Sequence, residues 1–258
     1  MTITDFNKVF NKSIEEFNNI QSTDIENLFE SFRTENTIFG FIDNGDNPPD
    51  QIAVSISKNV NEELYNKYIN HNKNKLILGY KNSSQNNVSY TQLDSRHIMM
   101  SVLLFTWLPD KVENIVEIGG GFGNWLRLNT IQNFKKWYII DLPHLCKLQE
   151  WYLNKENVNK EKYDLISCID YDIWNSEKEK YDLVIGTHSL SEFTFEIFKD
   201  YFNKIVMKAD YFFFCYCIPY SDSIDLKLKL IDENFTMLDS ILSENNLVAN
   251  NLYIRTVE

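Results

Sequence analysis

With 258 residues, 43% of them hydrophobic and 14% aromatic, the chain can bury one sizeable core plus an appendage, which excludes global disorder. A formal net charge of −12 and the lack of any basic stripe argue against a nucleic-acid backbone as partner. The longest apolar stretch, Ile98 to Leu108, contains Ser101 and Thr106 and is too short to span a bilayer. No basic-then-apolar leader opens the sequence, so a cytoplasmic protein is expected.

The first third reads as helical. Phe6, Val9, Phe10, Ile14 and Phe17 recur at helical spacing, as do Ile25, Leu28, Phe29 and Phe32, with Thr23 and Glu26 spaced as a capping box. Pro48-Pro49 breaks the pattern, Leu64, Tyr65, Tyr68 and Ile69 predict a further short helix, and a polar loop follows from about Asn70 to Ser89. Gln92 to Leu108 predicts a helix buried on most sides and ended by Pro109. Residues 1–110 are expected to form an N-terminal helical or lid region, and residues 111–258 a second, α/β domain.

From Asn114 onward strands and helices alternate. Ile115 to Ile118 is a short buried strand, followed by glycines and a helix bearing Trp125, Leu126, Leu128 and Ile131. Trp137 to Ile140 is a second strand that ends in Asp141, and Pro143 suits the first turn of the helix carrying Leu145, Leu148, Trp151 and Tyr152. Tyr163 to Ile169 and Tyr181 to Thr187 read as strands three and four. A helix from Leu190 to about Val206 precedes strand five, Tyr211 to Tyr216. A helix from Ser223 and two weaker strands, Met237 to Leu242 and Leu252 to Val257, complete the chain. Cys146, Cys168, Cys215 and Cys217 make no CxxC pair and the histidines are scattered, so no metal site is expected.

Of eight glycines, four fall between Gly119 and Gly123. The string Glu117-Ile118-Gly119-Gly120-Gly121-Phe122-Gly123 lies between a strand and a helix, where the backbone must turn sharply and a ligand must come close with no Cβ in the way. A dinucleotide site asks for G-x-G-x-x-G, but position 124 is Asn124; Gly123 and the acidic Glu117 fit the methyltransferase spacing E-x-G-x-G-x-G instead. Asp141 at the end of strand two can accept hydrogen bonds from ribose hydroxyls, a role it could play for S-adenosylmethionine (SAM) or NAD, or it can serve as an acid at a helix N-terminus. Leu142 can press on an adenine face. Asp170 can accept from the adenine amino group, with Tyr171 and Asp172 as competitors.

The segments IVEIGGGFGNW, YIIDLPHLCKLQEWYL and YDLVIGTHSLSEF, within Ile115 to Phe193, resemble the sugar O-methyltransferases of bacterial surface-glycan clusters, a branch of the class I SAM-dependent methyltransferases. The resemblance implies a Rossmann-like fold, mostly parallel with a final antiparallel strand. It also implies SAM as methyl donor, S-adenosylhomocysteine (SAH) as product, and a hydroxyl acceptor on a sugar or nucleotide-activated sugar. Cofactor-binding positions would be Glu117, Gly119, Gly121, Gly123, Asp141, Leu142, Asp170, Tyr171 and Thr187. Phosphoryl or phosphoramidate groups are further acceptors, and the oligomeric state stays open. An NAD-dependent oxidoreductase or epimerase, or a catalytically silent SAM-binding subunit, are the competing functions.

An alcohol acceptor needs a base near the end of strand four, where the sequence runs Thr187-His188-Ser189-Leu190-Ser191-Glu192. His188 suits that role by its ordinary pKa, although a polar residue satisfied by local backbone is the alternative. Glu192 is a second candidate, but Ser189-x-x-Glu192 is also a capping box, and that role ranks above a catalytic one. His97 could reach in from the apolar helix. Its neighbour Arg96 reads first as a salt-bridge residue, and Tyr80 and Tyr90 could offer a sugar-stacking face.

Overall fold

Two-residue alternation in the strands sorts the core onto two sides of one sheet. In the strand Ala209–Cys217, Tyr211, Phe213 and Cys215 pack on one side and Phe212 and Phe214 on the other. The computed structural model describes residues 15, 17–20, 22–33, 49–73, 78–79, 91–170, 172, 175, 180–218, 223–243 and 248–256. The readings made at Phe6, Val9, Phe10, Ile14, Tyr80, Tyr90, Tyr171 and Val257, and most of the polar loop after Asn70, lie outside them.

In chain order the elements are α1 (Ser22–Glu30), α2 (Gln51–Asn72), α3 (Gln92–Trp107), β1 (Asn114–Ile118), α4 (Asn124–Asn129), β2 (Lys136–Asp141), α5 (Pro143–Lys155), β3 (Tyr163–Ser167) and β4 (Tyr181–Thr187). There follow α6 (Ser189–Glu192), α7 (Phe195–Lys204), β5 (Ala209–Cys217), α8 (Ile224–Asp232), β6 (Phe235–Ser243) and β7 (Val248–Arg255). The seven strands lie in the order β3-β2-β1-β4-β5-β7-β6. All neighbours from β3 to β5 pair in parallel, and β7 runs antiparallel to both β5 and β6. Strand order reverses between β1 and β4, and in open α/β sheets ligands bind at the carboxyl ends of the strands beside such a reversal.

Two elements differ from the sequence reading in ways that have physical causes. The short helix expected at Leu64–Ile69 belongs to a 22-residue α2. Asp50 caps its start by accepting from the Ile52 and Ala53 N–H groups, and the helix breaks at Asn61, whose side chain caps again by accepting from Leu64 N at 3.0 Å. The apolar residues of its first half, Ile52, Ala53, Val54, Ile56 and Val60, lie before the break at Asn61, apart from the Leu64–Ile69 run. The single helix expected over 190–206 is two, α6 and α7. Thr194 caps α7, and the fully buried Lys227 donates to the Ser191 and Phe193 carbonyls at the break.

The N-terminal helices share the core of the α4 and α5 face. Phe29, Phe32, Met99 and Leu103 join Trp125, Trp137 and Tyr152 in one cluster. Phe32 meets Phe122 of the glycine loop at 4.9 Å between ring centroids, and the Arg33 guanidinium lies 4.4 Å from the same ring. A buried polar network runs through this contact. Arg127 of α4 donates to Asn72 of α2, to Asp94 of α3 and to Asn124. Tyr68 donates to Asn129, which in turn donates to Ser101.

Candidate functional site

After β1 the backbone turns through three glycines with positive φ: Gly119 (+78°), Gly121 (+58°) and Gly123 (+86°). A Cβ on Gly119 would lie 2.3 Å from Ser189 Cβ, and one on Gly120 would lie 2.5 Å from Ile139 Cγ2, so both are closed in by protein. Gly121 is the opposite case. A Cβ there meets no heavy atom within 4 Å and would project into open space. Gly123 caps α4, whose first residue is Asn124.

Asp141 sits at the end of β2 facing this turn and is buried. Its Oδ2 accepts from Gly121 N at 3.1 Å and from Gln149 Nε2 at 2.8 Å, and Oδ1 accepts from Leu142 N at 2.8 Å. Burial raises its pKa to about 7 against the opposing pull of these donors. Oδ1 has a lone pair left for a ligand hydroxyl. Gln149 Nε2 donates also to Gly121 O at 2.9 Å, so one side chain braces both the loop and the acid.

Glu117 points behind the loop, fully buried, where Oε2 accepts from Trp137 Nε1 at 2.9 Å. Burial, assisted by the nearby Asp141, raises its pKa to about 8, so at neutral pH it is mostly protonated. It supports the turn from within and does not line the cavity.

That cavity, about 260 Å³, opens at the carboxyl edge of the sheet between Gly119, Gly121, Asp141 and Leu142 on one side and Ser189, Glu192 and Phe193 on the other. Ile118, Ile140, Leu145, Cys168, Ile197 and Tyr201 complete a wall that is mainly apolar. Asp170 is exposed and outside this wall, held by its own N–H donating to Ser167 O. Asp172 forms an ion pair with Lys204, Tyr171 is outside the described residues, and Thr187 pairs with Cys215 at the end of β4. A larger cavity, about 400 Å³, lies by the opposite sheet edge near Asp110, Lys111 and Phe134 and contains none of the expected site residues.

His188, expected to face the site, is not among the residues lining this cavity although its neighbour Ser189 is; it follows β4 with φ +59° and ψ −52°. This is the strained γ-turn region, which costs a β-carbon residue about 1–3 kcal/mol and is tolerated when the surroundings fix it. The fixing contacts are its N–H to Cys215 O at 2.8 Å and its carbonyl, which accepts from Ser191 and Glu192 N–H. Burial first, then the charge of Arg96, lowers the His188 pKa, so the imidazole is neutral at physiological pH. Arg96 itself forms an ion pair with Asp50 at 3.1 Å.

The expected Ser189-x-x-Glu192 capping box does not form: α6 begins at Ser189, no side chain caps it, and the Ser189 hydroxyl donates to Ile118 O instead. Glu192 is thereby left on the cavity wall, its pKa raised by burial despite Lys227. His97, half-buried on α3, is held down to about pKa 3 by burial against Asp94, with His188, Arg33 and Arg127 adding to the effect. Gln149, Ser189 and Tyr201 were missed from sequence. Gln149 had a signal, being a polar residue among Leu145, Leu148 and Tyr152 on the buried side of α5.

Neither a protein-family model nor a curated protein sequence matches the chain. Solved structures do. The PH0226 protein from Pyrococcus horikoshii OT3 superposes with a TM-score of 0.52 at 11% identity, over 65% of this chain and 92% of that one. Magnesium protoporphyrin IX methyltransferase (ChlM) from Synechocystis PCC 6803, solved with bound SAH, gives 0.50 at 11% identity, over 80% of this chain and 100% of that one. The chain has the Rossmann-like fold of the class I methyltransferases. Among the described residues, no helix is long and apolar enough to cross a membrane.

Proposed function

We propose that the chain is a SAM-dependent O-methyltransferase acting on a hydroxyl of a sugar or activated sugar in surface-glycan assembly. One observation carries the cofactor reading: Gly121, whose Cβ position is clear of protein to 4 Å, lines the same cavity as Asp141. A cofactor can therefore lie against bare backbone at Gly121 while its ribose hydroxyls donate to Asp141, with Leu142 and the apolar wall around the adenine. Gly119 and Gly123 shape the turn, and Glu117 supports it from behind. Asn124 also weighs against the NAD alternative, because in place of a third glycine it turns inward to Arg127 and Tyr152.

When bound, SAM supplies a methyl group on a sulfonium, an electrophile that needs only an aligned nucleophile. With that donor bound, the neutral His188 imidazole would take the proton that an acceptor hydroxyl gives up as it is methylated. The sugar acceptor rests on the resemblance of the three segments between Ile115 and Phe193. A thermal-shift panel is the test: SAM and SAH should raise the melting temperature, and NAD and NADP should leave it unchanged. Saturable NADH binding would replace this reading with the oxidoreductase. Methyl transfer from labelled SAM to a panel of nucleotide sugars then tests the acceptor.

A further inference from the structure

We infer that Asn124 is a positioning residue that fixes His97 as a neutral imidazole with its proton on Nε2, so that His97 is a hydrogen-bond donor and not a base. The inference follows from counting donors. Arg127 Nε donates to Asn124 Oδ1 at 2.9 Å, and an arginine can only donate, so Oδ1 and Nδ2 of this amide cannot be exchanged. Tyr152 OH meets the same oxygen at 3.1 Å. The Asn124 Nδ2 group then spends one hydrogen on Asp94 Oδ1 at 2.8 Å and the other on His97 Nδ1 at 2.9 Å. An Nδ1 that accepts carries no proton, and a neutral ring must carry it on Nε2.

The lock is itself held. Asn124 is 1% exposed, and Asp94 is kept ionised: burial alone would raise its pKa, but Arg127 and Arg33 bring it to about 2. The charged and titratable groups around His97 are Asp94 on α3, Arg127 on α4, Arg33 beside the glycine loop and His188 after β4. The two imidazoles therefore have separate chemistry. Of the pair, His188 is left to take a proton, and His97 offers an N–H to an oxygen. This division rests on the methyl-transfer reading; the tautomer does not.

Nitrogen-15 NMR of the imidazole rings in the ligand-free protein is the test, with His97 assigned by its loss in His97→Gln. Wild type should show an unprotonated Nδ1 and a protonated Nε2 at His97, with no titration between pH 5 and 8. A proton on Nδ1, or titration within that range, would overturn the inference. Asn124→Asp replaces the donor with an acceptor and should move the proton to Nδ1; an unchanged tautomer would deny Asn124 the role. If that variant does not fold, Asn124→Ala should release the lock and give a mixture of tautomers. In a turnover assay, His97→Gln keeps a donor at the Nε2 position and should lose less than tenfold, whereas His188→Gln should lose at least a hundredfold. Equal losses would return His97 to the role of base. Should the methyl-transfer reading fail, the turnover arm is lost and the NMR result still stands or falls by itself.

Discussion

Gly121→Ala separates ligand contact from folding. The added methyl finds no protein atom within 4 Å, so the variant loses stability only through its backbone, which is held at φ +58°. For a residue with a Cβ that conformation costs about 1–2 kcal/mol, a fall of a few degrees in melting temperature for a domain of this size. A ligand resting about 3.5 Å from the Gly121 Cα would find the new carbon, which extends about 1.5 Å, only ~2 Å away. Relief of such an overlap typically costs about 1–3 kcal/mol, or roughly 5- to 150-fold in affinity. Gly120→Ala is the contrast, because its methyl would strike Ile139 at 2.5 Å and should damage folding itself. Calorimetric titration with SAM and SAH, beside thermal melts of all three proteins, reads both effects. Wild-type affinity in Gly121→Ala would show that no ligand lies against that face. A melting point as low as that of Gly120→Ala would show that the space is not open.

Asp141→Ala should weaken SAM by about 1–3 kcal/mol through lost charge-assisted hydrogen bonds, read by calorimetry. Because burial lifts the Asp141 pKa to about 7 and the ionised form accepts from a ribose, wild-type affinity should fall from pH 8 to pH 6 and the variant should stay flat. Glu117 has a folded pKa near 8 against 4.5 for the free group, so its contribution to stability is complete below about pH 4.5 and is lost as pH rises through 8. Glu117→Gln keeps an acceptor for Trp137, and in urea titrations it should equal or exceed wild type at pH 9; a deficit there larger than at pH 6 would refute the protonated state. His188→Ala should retain SAM affinity and lose on the order of 10²–10⁴ in turnover, measured with labelled SAM. Near-normal turnover would transfer the base to Glu192, or mean that the acceptor arrives already ionised.

Strands were legible where apolar residues ran together between turn signals. Tyr181–Thr187 has the expected bounds, and Trp137–Ile140 extends by one residue at each end. Helix breaks were not legible, since the interruption after α6 depends on Lys227, a residue 34 positions beyond Phe193. Chemistry at short range was readable and chemistry at long range was not. The glycine spacing and the acid ending β2 point directly to the turn and its cavity. By contrast, the orientation of Asn124 depends on Arg127, Tyr152 and Asp94, which come from three different helices. Glu117 shows the same limit, because its buried carboxyl accepts from Trp137 on a neighbouring strand and lies outside the cavity wall.

The ion pair between Arg127 and Asp94 limits how the protein could be engineered. Arg127 follows the glycine loop, whereas its partners Asn72 and Asp94 belong to the N-terminal helical region. An attempt to change acceptor preference by transplanting that region from a relative would leave a 5%-exposed guanidinium without its Asp94 carboxylate and its Asn72 amide acceptor unless both came with the graft. Removing one member of a buried pair typically costs about 3–5 kcal/mol, out of the roughly 5–15 kcal/mol that holds a domain folded. The two parts of the chain are therefore exchangeable only as a matched set, with Asn72 and Asp94 retained wherever Arg127 is retained.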